Sequence, residues 1–295
     1  MILKSDAVLV TGCAGALGEA VHGLFRDRCA VAATDRIAEG AWCRALDVTS
    51  SEAVRGFCDE IRPAAIINLA AMTDLEGCER EPVLAYETNG WAVGALVAEA
   101  RRRDIPLVHI STAGVFNGLK DSYSEDDAYL AMPLNMYGKS KLVGELLALA
   151  YPKSIVIRSG WMIGGGPAKD RKFVSKILRQ IRAGAREISA VDDKLGTPSY
   201  TYDIARLIWD LLQKNAHGLY HGCCSGGATR ADIARFAVSR LGMDRSVAVR
   251  TVASDHFKNE YFARRPRSEQ LHTVRDTALR PWQECLAEYL ERFPW

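Results

Sequence analysis

The chain has 295 residues, long enough for one large α/β domain or two smaller ones, and is 48% hydrophobic and 25% charged with 24 glycines and 10 prolines. That composition supplies apolar material for a sizeable core without disulfide or metal staples. A net charge of +2 gives no field suited to a nucleic acid or an anionic membrane surface, and no stretch approaches the ~18 apolar residues that a membrane-spanning helix needs.

In chain order, the first element is the apolar run Ala7-Val8-Leu9-Val10-Thr11, which enters the glycine loop Thr11-Gly12-Cys13-Ala14-Gly15-Ala16-Leu17-Gly18. Residues 15 to 28 then carry Leu17, Val21, Leu24 and Phe25 at helical spacing. A pyrophosphate needs backbone amides and a helix N-terminus pointed at it, and side chains near the turn would block that approach. Gly12, Gly15 and Gly18 meet the need with a tight turn, close backbone access and close helix packing, and Ala16 and Leu17 open the helix behind them. A GxxGxxG turn alone can serve packing only. Here a strand precedes it and a helix follows, which is the context a dinucleotide site requires.

A second run, residues 30 to 34, ends at Asp35, where a carboxylate accepts hydrogen bonds from the adenosine ribose hydroxyls and favours NAD. Arg36 follows and offers a guanidinium to a 2′-phosphate, so NAD and NADP both stay open. Asp47-Val48, ending a short third strand, borders the adenine or else simply opens the next helix. Thr49-Ser50-Ser51-Glu52 reads as a capping box for a helix through Ile61, which Pro63 breaks. Ala65-Ile66-Ile67-Asn68 is the next buried strand, followed by a long helix over residues 82 to 103 and a strand over 106 to 111.

The next helix starts near Asn135 and carries Tyr137 and Lys141, four residues apart and so on one face. A tyrosine titrates near ~10 in water, and an adjacent ammonium lowers that value by stabilising the phenolate. The same ammonium can hydrogen-bond a nicotinamide ribose. Ser111-Thr112 supplies a hydroxyl for a substrate oxygen. A Tyr-x-x-x-Lys pair by itself usually marks only a solvated helix face. Residues 154 to 158 form a sixth strand, and helices over roughly 171–183, 201–214, 229–241 and 281–291 follow, with shorter strands between them.

Continuous apolar strands of about five residues separated by helices predict an α/β fold, a Rossmann-type doubly wound parallel sheet. The change of rhythm predicts a cofactor-binding domain over residues 1–160 that includes the Tyr/Lys helix. Residues 161–295 are expected to form a smaller, mainly substrate-binding lobe, with some segments returning to the sheet.

The glycine loop after strand one, Ser/Thr after strand five and Tyr/Lys on the next helix together resemble the short-chain dehydrogenase/reductase superfamily. Within it the chain resembles the extended branch that acts on nucleotide sugars, and in that branch the dTDP-4-dehydrorhamnose reductase family, over nearly its whole length. The resemblance is carried by Asn68-Leu69-Ala70-Ala71-Met72-Thr73, by Asn89, and by Val108-His109-Ile110-Ser111-Thr112 with Val115-Phe116-Asn117-Gly118. It continues through residues 123–127 and 133–141, Arg158-Ser159-Gly160-Trp161, residues 192–198 and Arg265-Pro266-Arg267.

The resemblance implies that NADPH or NADH is the cofactor and that Leu69, Ala70, Ala71 and Asn89 lie beside it. It implies a catalytic set of Thr112, Tyr137 and Lys141, with Tyr137 protonating the sugar C4 oxygen, Thr112 holding it, and Lys141 binding the ribose. Thr73, Ala113, Trp161, Arg265 and Arg267 fall on the substrate side; for Trp161 a core role, and for the arginines a solvated loop, are equal alternatives. The family usually has Asp-Tyr after the catalytic threonine, where this chain has Ala113-Gly114. That departure leaves the particular sugar and the direction of reaction open.

Other readings are an epimerase that keeps NAD bound and a non-catalytic regulatory subunit like the β subunit of methionine adenosyltransferase. Dehydratases of the superfamily place an acidic pair after the threonine, which Ala113-Gly114 does not supply. His217 and His221 near Cys223-Cys224 show no spaced CxxC or third ligand, so no metal is expected there. A metal at a family dimer contact has no assignable ligands. The expected partners are a nucleotide-sugar substrate and a second copy of the chain, with no nucleic acid and no membrane. No signal-peptide pattern is visible in the first residues, and the eight cysteines are scattered without a CxxC pair, so a cytoplasmic location is expected.

Overall fold

The computed structural model describes residues 1–38 and 40–295. Its first half alternates strands and helices: β1 (Ala7–Thr11), α1 (Ala16–Phe25), β2 (Ala30–Asp35), β3 (Arg44–Ala45), α2 (Ser51–Ile61), β4 (Ala65–Asn68), α3 (Leu75–Arg80), α4 (Pro82–Tyr86), α5 (Ala92–Arg103), β5 (Leu107–Thr112), α6 (Met136–Leu149) and β6 (Ser154–Ser159). There follow β7 (Trp161–Ile163), α7 (Gly166–Lys169), α8 (Phe173–Arg182), β8 (Glu187–Val191), β9 (Leu195–Gly196), β10 (Pro198–Tyr200), α9 (Thr201–Gln213), β11 (Gly218–Gly222), α10 (Arg230–Arg240), β12 (Ala248–Val252), β13 (Ser268–Glu269) and α11 (Trp282–Arg292).

Seven strands form one sheet in the order β11-β6-β5-β4-β1-β2-β3, with every neighbouring pair parallel. This is the doubly wound α/β sheet expected from the alternating pattern. Alternate residues of a strand point to opposite faces. Val8 and Val10 of β1 accordingly pack with α1 and α9, while Leu9 packs with α2 and α5. Every residue of β4, β5 and β6 is buried, so these strands read as continuous runs rather than alternating ones. The polar His109, Ser111 and Thr112 inside β5 therefore need partners within the protein. The strand order reverses between β1 and β4, and in such sheets ligands bind outside the carboxyl ends of the strands at that switch.

The later segments make three two-stranded parallel ladders, β7–β10, β8–β12 and β9–β13, over apolar clusters built on α8, α10 and α11. β11 leaves this region to become the seventh strand of the main sheet, beside β6.

Three local expectations need correction. The helix after β3 is capped one residue later than read, because Ser50, not Thr49, accepts the N–H of Ala53 at 3.2 Å; Thr49 instead donates to Asp47. The third strand ends at Ala45 rather than at Asp47. The single helix read over residues 82 to 103 is α4, a π-helical turn at Glu87–Trp91, and α5. The turn contains Asn89, which is fully buried. Its carboxamide accepts the Met72 N–H at 2.8 Å and donates to Met72 O and Ser140 Oγ, both at 3.0 Å. A wider turn aims this side chain at the loop after β4 and at α6, a common use of π-bulges.

Candidate active site

The glycine loop sits at the reversal of strand order. Gly12 has φ +69°, and a Cβ there would lie 2.5 Å from the Ala70 nitrogen, so only glycine lets the loop after β1 meet the loop after β4. A Cβ on Gly18 would lie 2.3 Å from the Cys13 carbonyl oxygen, which fixes how closely α1 follows β1. Gly15 differs: the nearest atom to a Cβ there would be Gly12 O at 3.4 Å, an ordinary contact. Nothing in the fold demands glycine at 15, whereas a group seated on the free N–H donors of the first turn of α1 would. The residues present thus fit a dinucleotide. Asp35 accepts the Ala14 N–H on Oδ2 at 3.0 Å and the Arg36 N–H on Oδ1 at 2.8 Å, so the carboxylate at the end of β2 is tied to this loop. Arg36 is exposed beside it. Asp47 accepts the N–H and hydroxyl of Thr49 in the turn entering α2, and those bonds hold its carboxyl below its usual range. Val48 is buried.

The proton-transfer residues come from the ends of β5 and the start of α6. Asn135 caps α6 by accepting the Gly138 N–H at 2.7 Å, and its amide donates to Arg264 O at 2.8 Å. A Cβ on Gly138 would lie 2.3 Å from Gly114 O, so this glycine allows Tyr137 to stand against the turn that follows Thr112. The Thr112 hydroxyl lies beside the Tyr137 phenol and accepts the Gly114 N–H at 3.1 Å. Tyr137 does not show the lowered pKa expected from its spacing to Lys141. Burial pushes the phenol up to about 12, with Thr112 opposing that shift and Glu269 adding to it. The reason is geometric: the Lys141 ammonium points at β5, donating to Ile110 O at 2.5 Å with His109 Nε2 at 3.5 Å. Burial pulls the Lys141 amine down to about 8, against the pull of Glu145. His109 is held neutral, its pKa well below the ordinary value, by burial and then by the Lys141 charge. Behind it Asn68 Nδ2 lies 3.1 Å from His109 Nδ1, and Thr11 Oγ1 donates to Asn68 Oδ1 at 2.7 Å.

On the opposite wall, Trp161 donates its indole N–H to Glu269 Oε2 at 2.8 Å, and the Arg230 guanidinium lies 3.7 Å over its ring. Arg230 also lies 5.0 Å from the Phe173 ring, and among the described residues it makes no ion pair. Lys172 reaches Thr73 Oγ1 at 3.3 Å; burial lowers its pKa, with Asp170 opposing and Arg230 reinforcing. Sequence reading found neither Arg230, Lys172 nor Glu269. Arg265 is spoken for: Glu76 takes its two terminal nitrogens at 2.8 and 3.1 Å. Arg267 pairs with Asp121 on the surface, its side chain 59% exposed. His221 Nδ1 bonds His272 O at 2.8 Å and Cys223 lies against Leu271 O; among the described residues no group of three metal-ligating side chains forms.

Comparison with known proteins places these features in a family. Residues 6–294 match the family described as "RmlD substrate binding domain". The chain is 34% identical to a dTDP-4-keto-6-deoxy-D-glucose reductase of Streptomyces niveus, over 98% of this chain and 97% of that protein. A crystal structure of a dTDP-4-dehydrorhamnose reductase from Yersinia enterocolitica superimposes with a TM-score of 0.86 at 33% identity, covering 97% of this chain and 99% of that one. Another from Bacillus anthracis, in complex with NADP, gives 0.87 at 26% identity, covering 98% and 99%.

Proposed function

The chain belongs to the RmlD substrate-binding-domain family, and from that premise we propose that it is an NAD(P)H-dependent reductase of a 4-keto, dTDP-activated deoxysugar. The observation that carries the chemistry is the Thr112–Tyr137 pair at the carboxyl end of β5, on the same edge of the sheet as the glycine loop after β1. Residues 1–160 serve mainly the cofactor and residues 161–295 mainly the sugar nucleotide.

Gly12, Gly15 and Gly18, with Ala16 and Leu17 at the start of α1, hold the pyrophosphate, and Asp35 and Arg36 meet the adenosine ribose. Asp47 and Val48 border the adenine, while Leu69, Ala70, Ala71 and Asn89 border the nicotinamide end. A bound reduced nicotinamide supplies a hydride to the sugar C4. Thr112 donates its hydroxyl hydrogen to the carbonyl oxygen and holds it against Tyr137. As C4 gains the hydride, the C4–O π pair becomes an oxygen lone pair, and the Tyr137 phenol delivers its proton there. The phenol, whose pKa burial raises further above neutrality, carries its proton at neutral pH, the state required of an acid. The Lys141 ammonium would bind the nicotinamide ribose, and solvent reprotonates the phenolate that remains.

Arg230 and Lys172 are suited to the substrate diphosphate better than Arg265, whose guanidinium Glu76 already occupies. A guanidinium lodged between aromatic rings without a carboxylate partner is the group that phosphate oxygens satisfy. Thr73, Ala113 and Trp161 line the sugar, and Arg267 lies at its rim. We place the enzyme in the cytoplasm, on eight buried cysteines scattered without a CxxC pair, and as a homodimer, on the resemblance.

Consumption of NADPH with dTDP-4-keto-6-deoxysugars tests the reading. Tyr137→Phe is expected to lower turnover by about 10²–10⁴-fold while cofactor binding persists. Full activity in that variant would exclude Tyr137 as the acid.

A further inference from the structure

Ala113 packs in the core with Val115 and Phe116, and Gly114 carries no side chain. A carboxylate stands beside this bare backbone. A Cβ on Gly114 would lie 3.4 Å from Thr112 Oγ1 and 3.7 Å from Glu269 Oε1. The hydroxyl that holds the carbonyl oxygen and the Glu269 carboxylate therefore flank one small volume. Glu269 arrives there through the β9–β13 ladder, in register with Gly196. A Cβ on Gly196 would lie 2.2 Å from the Trp161 ring, so glycine at that position seats the indole. Its N–H then holds Oε2 at 2.8 Å, and Arg230 covers the ring at 3.7 Å. One oxygen is thus fixed by the Trp161 N–H, and the other lies on the Gly114 side, toward Thr112 Oγ1. The charge of Glu269 acts on both Tyr137 and Arg230, so it lies within Coulombic reach of the proposed acid.

We propose that Glu269 is a specificity-determining residue, whose Oε1 accepts the hydrogen of a hydroxyl on the sugar carbon next to the carbonyl being reduced. The inference rests on the reductase reading above. An ionised carboxylate can only accept, so it demands a donor. Neighbouring oxygens of a sugar meet neighbouring groups of the protein: the carbonyl oxygen lies on Thr112 and the adjacent hydroxyl on Glu269. A substrate without that hydroxyl leaves a partly desolvated carboxylate oxygen unpaired, and sites built to bind a hydroxyl reject analogues lacking it strongly.

Glu269→Gln isolates the effect. The glutamine must use its one carbonyl oxygen for the Trp161 N–H, so its NH₂ replaces Oε1 and an acceptor becomes a donor of nearly the same shape. The experiment compares kcat/KM for a dTDP-4-keto sugar and for its analogue deoxygenated at the adjacent carbon, with both proteins. Calorimetric binding of the corresponding unreactive dTDP-sugar pair is measured alongside. The wild type should prefer the hydroxylated sugar by roughly 10–100-fold, and the preference should collapse toward unity in E269Q. An indifferent wild type, or an E269Q that folds and keeps the preference, overturns the assignment while leaving the reductase reading intact. If no 4-keto sugar is turned over, the reductase reading fails, and the calorimetric preference alone decides for or against Glu269. Solvent deuterium appearing at the adjacent carbon with wild type, but not with E269Q, would make Glu269 a carbon base and also overturn the acceptor role.

Discussion

Tyr137 and Lys141 stand four residues apart on α6, and Thr112 ends β5. What spacing could not give was the direction in which Lys141 points. The ammonium faces Ile110 O and His109 rather than the phenol, and the buried tyrosine keeps its proton. Arg230 and Glu269 carry no local signal at all: each is a single charged residue in an unremarkable stretch, brought to the site by the α10 N-terminus and the β9–β13 ladder. Arg265 and Arg267 drew attention as a motif, yet their guanidinium groups are engaged by Glu76 and Asp121. The pH profile follows from Lys141. Burial lowers its pKa to about 8, so the charge is present below that pH and is lost as pH rises through it. The kcat/KM profile should fall with an alkaline limb near pH 8, and Lys141→Arg, whose guanidinium stays charged, should move that limb upward. A limb unmoved by the substitution would show that another group sets it.

At the scale of elements, helices and strands were readable from periodicity, and their interruptions were not. At the π turn, Glu87–Trp91, the buried Asn89 side chain makes three hydrogen bonds by facing inward, a tertiary advantage that periodicity does not show. The same holds for α6. One turn beyond Lys141, Glu145 is buried with Arg158 of β6, which it binds through both carboxylate oxygens, and it also accepts the Ser111 hydroxyl at 2.6 Å. This cluster pins α6, and with it Tyr137 and Lys141, to β5 and β6. Removing one partner leaves an uncompensated charge in the core, so Glu145→Ala should cost about 3–5 kcal/mol in chemical denaturation. A loss below about 1 kcal/mol would mean that the pair is solvated and does not hold the helix.

For the whole molecule, the alternation of strands and helices was enough to predict a parallel sheet, and the glycine loop lies at the reversal of its strand order. The sequence pattern did not reveal which later segments join that sheet. β11 reads as an ordinary short strand after α9, and its place beside β6 depends on a long-range pairing. Nor do the two-residue strands β9 and β13 have any periodicity to read, although they position Glu269 and Trp161. In the proposed reading, the sheet's carboxyl edge supplies Thr112 and Tyr137 and the β9–β13 ladder supplies Glu269 around one sugar carbonyl. A redox-neutral epimerase or a binding-only subunit would use the same fold differently, and the fate of the hydride separates them. The direct measurement is transfer of deuterium from NADPH labelled at the reactive C4 position to a dTDP-4-keto-6-deoxysugar, read by mass and NMR of the product. The account predicts one deuterium on C4 of the product and one cofactor oxidised per sugar reduced. Conversion of the sugar without deuterium gain, or cofactor binding with no oxidation, would contradict it.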